Sequence, residues 1–451
     1  MNRPELLSPA GSLKHMRYAY AYGADAVYAG QPRYSLRVRN NSFDFESLKQ
    51  GISEAHEQGK KLFVASNIIP HNAKIKTYMD DISPVVELKP DALIMADPGL
   101  IMMVKEKHPE QVIHLSVQAN AINYATVKFW QQAGISRIIL SRELSLDEVK
   151  EIRQECPDIE LEVFVHGALC IAYSGRCLLS GYFNHRDPNQ GSCTNSCRWK
   201  YDVKDAEETL EGDIKAKEIK APEDQVVLLE EEGRPGELMP AFEDEHGTYI
   251  MNSKDLRAIE HVHTLTKMGI DSLKIEGRTK SHYYAARTAQ VYKQAIDDAM
   301  AGREFNPEAF GVLENLANRG YTDGFYRRHQ PEELQTYFDN YSRSHKQQVV
   351  GEILDYRDGK AFIEVKNHFK VGDSIEVILP NECFHTTVES MHTDKGEELT
   401  VAKGSGYQVW IPMQAIKPEL GFIARNFEEK IKIKNKNIKK DPEQKIRRPS
   451  W

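Results

Sequence analysis

The feature that most constrains the fold is an alternation running through the first two-thirds of the chain. Short β-like runs occur at Glu5–Ser8, Ala24–Ala29, Lys61–Asn67, Asp91–Ala96, Val112–Gln118, Arg137–Ser141, Leu161–His166 and Ser272–Glu276. Most are continuous apolar runs, the pattern of strands covered on both faces. Each gap up to the seventh run is long enough for a helix. Ser47–Gln58, Tyr78–Leu88 and Tyr124–Ala133 read as such helices, punctuated by Gly59, Pro90 and Gly134. Repeated strand–helix units imply a parallel sheet, and eight of them imply an α/β, TIM-like (β/α)8 barrel. An open doubly wound sheet would want a glycine-rich loop after the first strand, and Ser8-Pro-Ala-Gly-Ser is too short for one.

The pattern divides the chain into a barrel over 1–340, a small C-terminal β-barrel domain over 345–428 and a basic, disordered tail over 429–451. A long insertion, about 167–250, separates strands seven and eight, and such excursions on a barrel rim are usually functional. Asn252 or Ser253 is placed to cap a helix running through Met268. A second helix, Ser281 to Met300, carries the apolar stripe Ala285, Ala289, Tyr292, Ile296 and Ala299. A polar helical linker is expected around Pro331–Lys346. Beyond it the period becomes two, in Gln348–Tyr356, Ala361–Val365, Asp373–Leu379 and Tyr407–Ile411. Turns are supplied by Asp358-Gly359, Gly372-Asp373 and Lys395-Gly396.

Four cysteines, Cys170, Cys177, Cys193 and Cys197, crowd into the insertion, while Cys156 and Cys383 stand alone. The N-terminus lacks the apolar run of a signal peptide, and no run of about eighteen apolar residues suggests a membrane helix. A cytoplasmic location follows as the expectation, where thiols stay reduced and disulfides are disfavoured. Spacing alone leaves structural zinc and an iron–sulfur cluster open: only Cys193 and Cys197 have knuckle spacing, and four thiolates suit either metal. The formal net charge of −8 makes the whole molecule no attractor of nucleic acid. The charge is uneven, however. The stretch 202–245 is acidic, and 430–448 is rich in Lys and Arg, as a solvated terminus or an RNA-contacting arm would be.

Polar residues follow most strands: Ser8, Tyr28, Asn67, Asp97, Gln118, Arg142-Glu143, His166 and Glu276-Gly-Arg278. In a barrel these positions form the C-terminal rim, where active sites are built. Any one of them, Asp97 and Ser145 above all, is equally suited to capping the next helix. Hydrolase machinery is absent. There is no His-Glu-x-x-His, no Gly-x-Ser-x-Gly, no Walker loop and no radical-type cysteine triplet. A Cys170–His166 protease pair would leave the other three cluster cysteines unexplained.

Several of these motifs together resemble one family. His166-Gly-Ala-Leu-Cys170, Ser174-Gly-Arg-Cys177, Cys193 with Cys197-Arg-Trp199, Tyr249–Leu256, Lys274-Ile-Glu-Gly-Arg278, Glu5–Gly11 and Gly23–Tyr28 are similar to the collagenase-like peptidases, a family long of unknown catalytic type. Its members include RNA hydroxylases and a ubiquinone-hydroxylating pair. In length and C-terminal domain the chain looks most like the member that hydroxylates the tRNA wobble uridine with prephenate. The resemblance implies oxygen-independent formation of 5-hydroxyuridine, tRNA (anticodon loop) and prephenate as partners, and an iron–sulfur cluster, 4Fe–4S, on Cys170, Cys177, Cys193 and Cys197. Peptidase activity and an RNA-binding role with structural zinc are the alternatives.

Given that reaction, prephenate is a dianion and needs cations; Arg142, Lys274 and Arg278 are the candidates, with Arg33 and Arg37 as further ones. His166 and Glu276 are placed to handle protons. Asn67 and Gln118 are suited to the uracil edge, and Tyr28 or Tyr173 to stacking on the base. The sequence does not set the oligomeric state.

Overall fold

The eight apolar runs close on themselves. The computed structural model describes residues 2–30, 33–36, 42–169, 173, 254–318, 320–327 and 347–427, and the backbone of five short strands between 206 and 249. Strands β1 (Glu5–Pro9), β2 (Ala26–Gly30), β3 (Lys61–Ser66), β4 (Ala92–Met95), β5 (Ile113–Leu115), β6 (Arg137–Ile139) and β7 (Glu160–Ala168) pair in sequence order, all parallel. Helices α1 (Leu13–Ala21), α2 (Phe45–Glu57), α3 (Asn72–Glu87), α4 (Pro98–Lys107), α5 (Tyr124–Gln132) and α6 (Leu146–Glu155) fill the gaps. Two of the polar strand-end residues are caps: Asp97 accepts from Leu100 N at 2.9 Å, and Ser145 forms a capping box with Glu148.

The insertion carries β8 (Ala206–Glu208) paired with β9 (Ile214–Ala216), and an antiparallel ribbon of β10 (Val226–Glu230), β11 (Leu238–Asp244) and β12 (Gly247–Tyr249). The chain then re-enters as a strand, correcting the helix expected from residue 252 or 253, positions that themselves lie outside the described residues. β13 (Asp255–Arg257) runs antiparallel to the end of β7, and only after a 3-10 turn does α7 (Val262–Met268) begin. The free upper edge of β7 accounts for this, because pairing there buries Leu256 and overrides local helical preference. β14 (Ser272–Ile275) closes the barrel by pairing with both β1 and β7. Helix α8 (His282–Met300), capped by Ser281, buries Ala285, Ala289, Tyr292, Ile296 and Ala299 against the barrel wall. The short helix α9 (Glu308–Glu314) and β15 (Tyr321–Thr322), which adds to β13, complete this unit.

The C-terminal unit is antiparallel. Its strands are β16 (Gln347–Arg357), β17 (Lys360–Val365), β18 (Phe369–Lys370), β19 (Ser374–Ile378), β20 (Cys383–Thr387), β21 (His392–Thr393), β22 (Val401–Ala402), β23 (Gln408–Pro412) and β24 (Gly421–Asn426). Seven form one sheet in the order β20-β19-β24-β16-β17-β23-β21, and β18 pairs with β22. The linker around 331–346 and the tail after 427 lie outside the described residues.

This unit docks on α1 and α8 through a specific polar seam. Phe422 packs among Tyr18, Tyr283 and His282, with ring centroids 4.8, 5.1 and 5.5 Å away. Glu352, only 4% exposed, accepts from Lys14 at 2.5 Å and from His282 Nε2 at 2.9 Å. Burial alone would push this carboxyl up, but the His282 and Lys14 hydrogen bonds outweigh it and hold it down to about 2. A depressed carboxyl contributes stability above its ordinary value and loses it as pH falls through the folded one. Domain docking should therefore weaken between pH about 4.5 and about 2. Glu352→Gln should cost roughly 2 kcal/mol at neutral pH, discounted for the half-exposed Lys14, and should flatten that acid limb in urea titrations followed at several pH values.

Candidate active site at the barrel mouth

Strand alternation turns Glu5, Arg137, Glu162 and Lys274 into the barrel lumen, where TIM barrels usually pack branched apolar side chains. Arg137 Nη1 reaches Glu5 at 2.6 Å and Glu162 at 3.2 Å, and Lys274 Nζ reaches the other oxygen of Glu162 at 2.8 Å. Glu162 is 0% exposed, so its charge depends wholly on these two cations. Burial would pull the Arg137 guanidinium down, but Glu162 and Glu5 outweigh it and hold it up. For Lys274 burial wins: its ammonium sits below the ordinary lysine range despite Glu162. Lys274, expected as an anion ligand, is thus already engaged, and lies beneath the mouth rather than on its lip.

Above Lys274 stand two aromatic rings. Its Nζ is 4.5 Å from the Tyr28 ring centroid and 5.5 Å from that of Phe164. Arg142 lies 4.0 Å over Phe164, and Arg278 lies 5.5 Å from Tyr28. The Tyr28 hydroxyl is 3.1 Å from both Glu276 Oε2 and the Ile275 carbonyl, so Tyr28 is 3% exposed and orients Glu276 instead of offering an open stacking face. Arg142 Nη1 donates to Ala168 O at 2.8 Å, while its Nε is buried without a partner among the described residues. Glu143 Oε2 beside it is in the same condition. Arg278 Nη1 donates to Ser35 Oγ at 2.8 Å. Gly30 makes this possible, because a Cβ there would lie 2.2 Å from that nitrogen.

Asn67 and Gln118 sit together on the opposite arc. Asn67 Oδ1 accepts from Leu36 N at 3.2 Å, its Nδ2 donates to Ser116 Oγ at 3.3 Å, and Gln118 N donates to the same hydroxyl at 3.4 Å. Gln118 Oε1 is buried with no partner among the described residues.

His166 faces the other way. Lys274 pairs with Phe164 but Ile275 pairs with His166, so Val165 is an extra residue that turns the strand over. Phe164 keeps to the lumen, and the His166 ring packs behind the wall among Tyr284, Tyr292 and Tyr321, with centroids 5.4 to 5.7 Å away. Its Nδ1 is 3.3 Å from the Tyr292 hydroxyl. Burial pushes its imidazole down to about 3, so the ring is neutral and does not carry protons in the mouth near pH 7. Gly167 follows with φ +105°, and a Cβ there would meet Glu276 O at 2.2 Å, so the ends of β7 and β14 approach as only glycine permits.

Tyr173 is 50% exposed. Arg33 is committed to Asp81 at 2.6 Å on the surface. Cys170, Cys177, Cys193, Cys197 and Arg37 lie outside the described residues. Sequence reasoning missed Phe164, Glu162 and Arg137. Phe164 reads as one more apolar strand residue, and only the alternation from Glu162 hints that it points inward. Among the described residues, the group most like a metal site is Glu260, His261 and Asp323. Arg327 takes the cation's place there, 2.6 Å from Glu260 and 3.2 Å from Asp323.

Residues 11–336 match the peptidase family U32, and residues 345–425 match the peptidase family U32 C-terminal domain. The chain belongs to peptidase family U32. Within that family, tRNA hydroxylation protein P of Escherichia coli (strain K12) is 61% identical over 442 residues, covering 95% of this chain and 98% of that one. The protein of the same name from Haemophilus influenzae is 57% identical over 443 residues, covering 94% and 96%. A collagenase of Porphyromonas gingivalis is 28% identical over 435 residues, covering 92% and 95%. For this U32 chain the barrel mouth, framed by Arg142, Glu276 and Arg278, is the candidate active site, and among the described residues no helix is long and apolar enough to cross a membrane.

The lumen charges are a strict test of this arrangement. Glu162→Gln strands Lys274 and part of Arg137, and should lower unfolding free energy by about 3–5 kcal/mol in urea titrations. The paired change Glu162→Gln with Lys274→Met should recover most of that loss, because a neutral pair of similar size needs no counter-ion.

Proposed function

We propose that the protein is a tRNA hydroxylase that converts the wobble uridine of the anticodon loop to 5-hydroxyuridine without molecular oxygen, with prephenate as co-substrate. The observation that carries the reading is the 61% identity, over 95% of the chain, to a protein named for tRNA hydroxylation. The polar mouth supports it. An anticodon base is already unstacked, so it can enter a barrel mouth without strand separation. There Gln118 Oε1, buried without a partner among the described residues, and Asn67 beside it are suited to the uracil edge. On the facing arc, Arg142 and Arg278 are suited to the carboxylates of prephenate, and Glu276, held by Tyr28, to a proton.

Four thiolates within one insertion are a donor set that fits an iron–sulfur cluster, and Cys170, Cys177, Cys193 and Cys197 would hold it. Bound there, a cluster would supply electron transfer or Lewis acidity. The described residues serve the same end by binding and orientation. The lumen below the mouth is closed by the Glu162–Lys274 pair and the rings above it, so reactants are confined to one face.

Nucleoside mass spectrometry of tRNA from a deletion strain tests the reading. 5-Hydroxyuridine and its derivatives should disappear, return with the wild-type gene, and stay absent with Cys170→Ala or when the strain cannot make prephenate. Gly30→Ala, which evicts Arg278 from its seat, should lower the modification by at least about tenfold while the protein still melts cooperatively. Unchanged nucleosides in the deletion strain would remove the proposal. Protein purified without air should be brown and contain iron and sulfide; zinc in place of iron would leave the cysteines a structural role only.

A further inference from the structure

We infer that Ser116 is the residue that makes the barrel mouth select uracil over cytosine. Its hydroxyl has both acceptor sites taken by the protein and is left as a hydrogen-bond donor to a carbonyl oxygen of the base. The inference rests on the tRNA reading above and deepens it, because it assigns the choice of base to one buried hydroxyl.

Ser116 follows β5 on the inner side of the wall. His114 is the register partner of Arg137, whose side chain lies in the lumen. The backbone stays extended at Ser116, with φ −66° and ψ 148°, so residues 114 and 116 share that face. Ser116 is 2% exposed, and Asn67, just past β3, is half-buried beside it. The direction of each hydrogen bond follows from its partner. A backbone N–H only donates, so the Asn67 atom 3.2 Å from Leu36 N is the oxygen, and the other end of that amide is the NH2 group. That group donates to Ser116 Oγ at 3.3 Å, and Gln118 N donates to the same oxygen at 3.4 Å.

A hydroxyl offers two acceptor sites and one proton. Both acceptor sites of Ser116 are occupied, and none of the described residues accepts its proton. The second N–H of Asn67 is likewise uncommitted among the described residues. Two donor groups therefore stand 3.3 Å apart, and a buried donor is costly until something accepts from it. A carbonyl oxygen satisfies them, whereas an amino group sets donor against donor. Uracil carries a carbonyl at ring position 4, where cytosine carries an amino group. Uracil N3 also bears a proton, where cytosine N3 is an acceptor. Gln118 Oε1, a buried acceptor on the short 3-10 turn that Ser116 caps, suits that N3–H. Donors and acceptor thus agree on uracil. A site built to hydrogen-bond a group rejects the analogue lacking it more strongly than an apolar pocket does.

Competition binding to the full-length protein, purified without air, tests this with two anticodon stem-loops that differ only in carrying uridine or cytidine at the wobble position. The wild type should bind the uridine stem-loop at least about tenfold more tightly. Ser116→Ala removes the donor and should reduce that ratio to about threefold or less. Asn67→Asp replaces the NH2 group by an acceptor that takes the Ser116 proton, and should reduce the ratio as far, to about threefold or less. The ratio is the informative quantity, since a structural defect or a change in phosphate contacts weakens both stem-loops alike. If Ser116→Ala fails to fold, the isosteric Asn67→Asp decides alone. Equal affinity of the wild type for both stem-loops, or an undiminished ratio in the variants, would overturn the inference and leave the hydroxylase reading standing. Binding of neither stem-loop would overturn both.

Discussion

The carboxylate of Glu162 is the interaction on which the rest of this structure depends. It is fully buried in a barrel lumen, and an unpaired carboxylate there would be untenable. Arg137 holds it from the base and Lys274 from the mouth side, and Glu5 completes the neutralisation below. Because Lys274 is pinned, Tyr28 and Phe164 above it are pinned. Because those rings are pinned, Arg142 and Arg278 have fixed seats at the mouth. A charged lumen is a poor way to make a barrel stable, since apolar residues of similar volume usually do as well or better. It is a good way to fix the orientation of a site one layer higher, because each charge tolerates few alternative positions.

The upper edge of the barrel is shaped by a second constraint, the extra residue Val165 in β7. It keeps Phe164 in the lumen and throws His166 behind the wall into a cage of three tyrosines. The same strand end accepts β13, so the long insertion leaves and re-enters beside the mouth. Ala168 and Asp255, on either side of the insertion, are thus paired at the rim by a short antiparallel ladder, with Gly167 allowing the close approach to Glu276. The C-terminal sheet is joined through Glu352 and Phe422 to the face made by α1 and α8, the helices that flank the closing strand pair β1–β14. Both additions therefore attach to elements at the point of closure.

Much of the architecture was legible in the chain itself. Eight continuous apolar runs separated by helix-length gaps define a doubly covered parallel sheet, and the switch to period two near residue 345 marks the antiparallel unit. Arg142, Glu276 and Arg278 were recognisable as rim residues because each follows a strand end. The helix expected from residue 252 or 253 was not, since a three-residue strand such as Asp255–Arg257 has no periodicity of its own and exists only because β7 offers an edge.

What the sequence alone determined is the order and kind of the elements, because hydrophobic periodicity is a local property of neighbouring residues. What only the tertiary structure decided is the direction in which individual groups point. Lys274 and His166 look equivalent in the chain, each a polar residue at or near a strand end, yet one is an internal counter-ion and the other a neutral ring behind the wall. The physical reason is that a single bulge reverses a side chain, and that a buried charge is placed by its partners, which lie more than a hundred residues away in the chain.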